Sequence, residues 1–235
     1  EELDIKIIDT GAGLERVAWI YNGSPTSYQD TFLNAYNYLT EKLDMKVQDE
    51  IWEKFGPYSC TLNIDELANE KEIEQAWKEV SDKMGCDVKT TMAAIKPVQD
   101  LYIILDHTRT ILITIMDGAL PSNVGGGGNI RNILRRCFLI MTKHGWWDKI
   151  GMDGFLEIFE YHKKDMEGVF GSFPGKQEYF NNIMKVEYDR WKYSDESSVV
   201  KVKKLLKDKK NKFDMVYKQG LSLVSSCGTN LLPLE

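Results

Sequence analysis

The chain has 235 residues, 43% of them apolar, with six Trp, eleven Tyr and nine Phe, and a formal net charge of −6. This is enough apolar material for one large or two small packed domains, and the acidic balance excludes a protein that coats nucleic acid over its whole surface, so local basic patches matter more than the total. The four cysteines (Cys60, Cys86, Cys137, Cys227) form no Cys-x-x-Cys pair and the three histidines do not cluster near them. That argues against zinc or any other metal centre and against a disulfide framework, and for reduced thiols in a cytoplasmic protein.

Residues 3–8 alternate Leu3, Ile5 and Ile7 with Asp4 and Lys6, the pattern of a half-buried strand. The strand runs into Asp9-Thr10-Gly11-Ala12-Gly13 and then a helix, with Leu14, Val17, Ala18 and Tyr21 on one face. Almost everything downstream reads as helix. A lone strand has nothing there to pair with, so the rest of its sheet is expected upstream and the chain reads as a piece of something larger.

One helix is expected over 28–43, after the start signal Ser24-Pro25-Thr26-Ser27, and a short one at 48–55, ended by Gly56-Pro57. Residues 65–84 form an acidic helix stopped by Gly85. From Glu41 to Asp82 there are twelve acids against five bases, a solvated face and not an RNA face. Asp87 is expected to cap the next helix, which Pro97 kinks or restarts. Residues 101–116 are nearly all apolar but are interrupted by Asp106, His107 and Arg109. They are not a membrane span but predict, with Asp117, a buried central helix over 101–117, with His107 in the core and Asp106–Arg109 as an i,i+3 ion pair. Further helices are expected at 129–144, 152–166 and 176–192, then a charged one from Ser197 leading into a last one at 212–226.

The most telling run is Pro121-Ser122-Asn123-Val124-Gly125-Gly126-Gly127-Gly128, followed by a basic helix. Consecutive glycines let amides converge into a nest for an anion, and the next helix adds the positive end of its dipole. Ile130, Ile133, Leu134, Cys137, Phe138 and Met141 share the apolar stripe, which puts Arg131 and Arg135 on the opposite face with Arg136 beside them. From Gly118 to Trp147 there are four basic residues and no acid, a surface suited to phosphate. A second basic run, 201–212, has seven lysines and one aspartate. Lysine lacks the guanidinium fork, and such helices are commonly plain solvated surface.

Asp9-Thr10-Gly11-Ala12-Gly13-Leu14-Glu15-Arg16 resembles the third signature motif of class II aminoacyl-tRNA synthetases, in the form used by alanyl-tRNA synthetases. Asp106-His107-Thr108-Arg109-Thr110, then 117–123, then the arginines at 131–136 resemble the helical tRNA-recognition region of the same enzymes. The stretches 19–32 and 58–65 fit the archaeal-type branch. The resemblance implies that Asp9 holds the α-amino group of alanine, that Gly11 keeps the alanine pocket small, and that Gly13 and Arg16 serve ATP. It implies that Asn123 reads the G·U wobble pair of the alanine tRNA acceptor stem, with Gly125, Gly126, Gly127, Arg131, Arg135 and Arg136 contacting the same RNA. Gly128 departs from the pattern, standing where the family usually has tyrosine. The implied parent reaction is alanylation of tRNA through an alanyl-adenylate, with ATP and Mg²⁺. The first two class II motifs and an editing domain are absent, so the chain alone is expected to be inactive.

The expected fold class is therefore mainly α. Residues 1–24 would end a class II antiparallel-sheet catalytic domain as a strand–turn–helix remnant. Residues 25–235 would form the helical tRNA-recognition domain, truncated at its C-terminal end. The partners would be alanine tRNA, ATP and L-alanine, with no membrane. The alternative is a non-catalytic helical RNA-binding or scaffold module, which would not aim Asp9 and Arg16 at one cleft.

Overall fold

A computed structural model describes residues 11, 13–62, 70–171 and 177–226, and every regular element among them is helical. They are α1 (Leu14–Asn22), α2 (Ser27–Thr31), α3 (Leu33–Lys42), α4 (Asp49–Phe55), a 3₁₀ segment (Gly56–Leu62), α5 (Glu70–Met84), α6 (Val88–Met116), α7 (Gly125–Lys143), α8 (Trp147–Phe170) and α9 (Gln177–Ser226). The expected strand at 3–8 and Asp9 lie outside the described residues. No helix among the described residues is long and apolar enough to cross a membrane. The chain divides into two compact units, Glu1–Lys185 and Val186–Glu235.

In the first unit α6 is the axis. Asp87 caps it, its carboxylate accepting from the Thr90 amide at 3.0 Å. The helix passes through Pro97 without restarting. Leu101, Ile104, Leu105, Ile111 and Leu112 are fully buried. Near its N-terminal half the Tyr102 ring stacks on Tyr28 at 4.6 Å and meets Trp52 edge-on at 5.4 Å, which ties α2 and α4 to the axis. The other side is an aromatic seam: Phe138 of α7 lies 5.6 Å from Phe155 of α8, and Phe159 of α8 lies 4.8 Å from Phe180 of α9. α7 runs antiparallel to α6, because Lys143 and His144 at its far end both bond Asp100, each at 2.7 Å. Burial works against the charge on Asp100, but these two donors outweigh it and hold the carboxyl below its usual value.

Several expectations need correction. The single helix over 28–43 is two, because Phe32 leaves helical geometry (φ −122°, ψ 33°). The break turns the Thr31 carbonyl to the Arg109 guanidinium at 2.7 Å and sets the Phe32 ring 4.2 Å from that cation. Arg109 is thus engaged across helices and does not pair with Asp106, which bonds His107 instead at 3.1 Å. His107 is only partly buried; the core histidine is His162, fully buried, with Nε2 2.9 Å from Thr108 Oγ1. α8 begins earlier than expected and is broken at Gly151 (φ 59°), and 177–226 is one helix where three segments were expected. Cys60, Cys86 and Cys137 are free thiols, and burial pushes the Cys137 thiol well up.

His162 makes stability depend on pH. Burial first, and the Arg109 charge second, pull its folded value down to about 3, from an ordinary 6.5. On acidification the unfolded chain takes the proton first. Stability is whole above pH ~6.5 and falls below it, by up to about 1.4 kcal/mol per pH unit. The Asp100 contribution goes only below its ordinary 3.8, which leaves pH 6.5–4.5 as a clean window. His162→Gln should flatten urea-unfolding free energy against pH across that window. An unchanged slope would mean that His162 protonates in the folded protein.

In the second unit, residues 186–226 of α9, Arg190 bonds Glu187 at 2.9 Å, and Phe213 and Tyr217 stack at 6.2 Å. The lysines at 201–212 are exposed, and so are Val202, Leu205 and Leu206.

Candidate functional site

The α6–α7 connection is short and highly bonded. α6 closes on Asp117, Gly118 (φ 99°) and Ala119, whose amides return to Ile113, Ile115 and Thr114 at 3.0–3.1 Å. The chain then crosses the start of α7, with the Ser122 amide donating to the Gly127 carbonyl at 3.0 Å. The Ser122 hydroxyl donates to the Val124 carbonyl at 2.7 Å.

The glycine run is not a nest. Gly125 alone has positive φ (59°), and the run forms the first turn of α7, which starts four residues before the expected position. Continuing the helix gives the last glycine amide a regular partner, Gly128 N–H to Val124 O at 3.2 Å. What survives is the helix N-terminus itself, with amides that have no partner inside the helix. Glycine is needed at 127 because a Cβ there would lie 2.4 Å from the Leu120 carbonyl oxygen.

The arginines divide. Arg135 and Arg136 are exposed on α7 and pair with no acid among the described residues. Arg131, expected on the outer face, is only 9% exposed. Its Nη1 donates to Asn123 Oδ1 and its Nη2 to the Pro121 carbonyl at 3.2 Å. The wheel put it outside because the loop that covers it is invisible in helical periodicity. Asn123 is exposed, so the structure brings it together with Arg131 at one corner.

Gly11 and Gly13 precede α1, and Gly13 (φ 64°) is its N-cap; Gly11 and Arg16 are exposed. With Asp9 outside the described residues, its position relative to Arg16 is not described. No group of three or more His, Cys, Asp or Glu able to hold a metal occurs among the described residues. A feature missed in the sequence is a cleft of about 1050 Å³ walled by Trp19, Tyr28, Trp52 and Tyr102, with Lys96 and Lys143 at its lining. It draws on residues more than a hundred positions apart, so no local pattern announces it.

The model of the family described as tRNA synthetases class II (A) matches residues 1–231. The chain belongs to this family. Among its relatives, an alanine–tRNA ligase of Methanocella arvoryzae is 34% identical over 209 residues, 89% of this chain and 23% of that protein. One of Methanobrevibacter smithii is 29% identical, over 92% of this chain and 24% of the relative. One of Nitrosopumilus maritimus is 33% identical, over 82% and 21%. The chain spans about a quarter of the length of the curated relatives it matches.

Proposed function

We propose that the chain is the part of an alanine–tRNA ligase that grips the acceptor stem of alanine tRNA. Residues 1–24 would be the end of the catalytic domain and 25–235 most of the tRNA-recognition domain. The observation that carries this reading is the corner where an exposed, fixed Asn123 stands at the start of a helix bearing Arg135 and Arg136. An amide offers hydrogen bonds to a base edge, while guanidinium groups a few residues along take phosphates: specification and positioning side by side. In the parent enzyme Asp9 and Gly11 would serve alanine, and Gly13 and Arg16 would serve ATP, with Mg²⁺ belonging to the same activation step. By itself the chain would not form the adenylate, since positioning for that step draws on groups outside it.

Binding of an acceptor-stem hairpin RNA tests the reading. With Arg131 occupied internally, two arginines remain for phosphate. Log affinity should then fall with log salt with a slope of about −2. Arg135→Ala combined with Arg136→Ala should flatten that slope nearly to zero, read by fluorescence anisotropy between 50 and 200 mM salt. A double variant that binds like the parent at every salt concentration would place the gripping surface elsewhere.

A further inference from the structure

We propose that Arg131 is a positioning residue that fixes the amide of Asn123 so that it meets RNA as a hydrogen-bond donor. The inference rests on the acceptor-stem reading above and deepens it. A guanidinium can only donate, so the amide atom facing Arg131 Nη1 must be Oδ1, whichever way the amide is drawn. The second arm of the fork, Nη2, holds the Pro121 carbonyl two residues earlier. One buried cation therefore fixes both the loop backbone and the side-chain rotation at its tip.

The neighbours leave little slack. The Ser122 amide is tied to Gly127, and the Ser122 hydroxyl bridges to Val124. Arg131 takes one lone pair of Oδ1 and stands on that side of the amide, so the arm of Asn123 turned away from the bridge is Nδ2, which carries two N–H donors. In an RNA minor groove its complements are acceptors: pyrimidine O2, purine N3 or a ribose 2′-hydroxyl. The unpaired guanine 2-amino group of a G·U pair is itself a donor and is not a complement for Nδ2. Arg131 thereby decides which feature of the pair Asn123 senses without touching the RNA.

The experiment uses the 235-residue chain with three hairpin RNAs that differ at one pair: G·U, G·C and inosine·U, the last lacking the 2-amino group. Asn123→Ala should weaken binding of the G·U hairpin by about tenfold. It should weaken the inosine·U hairpin by the same factor, because the lost contact is to an acceptor common to both. If the penalty disappears on inosine·U, Asn123 accepts from the amino group and the proposal is wrong. Arg131→Gln should remove the preference for G·U while leaving the salt slope unchanged, and Asn123→Ala added to it should cost nothing more. A slope shallower by about one unit would make Arg131 a phosphate contact and overturn the proposal. Arg131→Lys keeps the charge but lacks the fork, and should lose the preference too; full retention would also overturn it.

An arm without RNA separates this inference from the reading beneath it. The bridge predicts that Asn123→Ala and Arg131→Gln are coupled in unfolding, with the double variant melting no lower than Arg131→Gln alone. Additive melting shifts refute the bridge whatever the RNA does. Coupled shifts with no hairpin binding by the unsubstituted chain refute the acceptor-stem reading, and the donor role with it, while the bridge stands.

Discussion

Phe155→Ala should cost about 3–5 kcal/mol of stability, the usual range for emptying a fully buried aromatic position. The ring is fully buried, and its centre lies 5.5 Å from Trp147, 5.6 Å from Phe138 and 5.5 Å from Phe159. Those neighbours are themselves wedged between α7, α8 and α9, so the void cannot close by one side chain turning. For a chain of this size the melting midpoint should fall by on the order of 10 °C. Phe155→Leu, which refills most of the volume, should lose no more than about 1.5 kcal/mol. Circular dichroism melts of the two variants check this, and a Phe155→Ala midpoint within two or so degrees of the parent would mean that the seam is not the core. The seam also matters to function, since Phe138 is the buried side of the helix that carries Arg135 and Arg136 on its outside.

Gly127→Ala should detach the loop from α7. The added Cβ would stand 2.4 Å from the Leu120 carbonyl oxygen and 2.5 Å from Ser122 Oγ. The first is backbone and cannot rotate away, so residues 120–122 must lift, breaking the Ser122–Gly127 bond and loosening Asn123 from Arg131. Overpacking of this kind costs about 1–3 kcal/mol, but the larger consequence is local: hairpin binding should fall about as far as it does for Asn123→Ala. Gly126→Ala is the control. A Cβ there meets nothing within 4 Å and the residue is in right-handed helix, so alanine should stabilise by up to about 1 kcal/mol through helix propensity. If both alanines behave alike, the loop does not pack as described.

These variants separate what local pattern conveys from what it does not. Four consecutive glycines look equivalent in the sequence. Only contacts with a loop several residues back distinguish Gly127, which cannot carry a Cβ, from Gly126, which can. The start of α6 at Asp87 and its buried apolar run were legible, because capping and burial periodicity are local properties of the chain, whereas its continuity through Pro97 was not. The break at Phe32 was not legible, since the group that the Thr31 carbonyl and the Phe32 ring engage there is Arg109, nearly eighty residues away. The histidine assignment failed for a related reason: His107 sits in the more apolar stretch, yet His162 is the one that faces Thr108 across the helix interface.

The sequence by itself determined the helical class, the basic character of the segment after the glycines and, through its signature motifs, the synthetase family. These depend on residue types at fixed short spacings, which folding does not change. Only the tertiary structure decided that Arg131 turns inward to hold Asn123 and Pro121 while Arg135 and Arg136 stay outside. A helical wheel records the angle of a side chain about its own axis, and the loop that crosses that axis at the start of α7 converts one outward angle into a buried one.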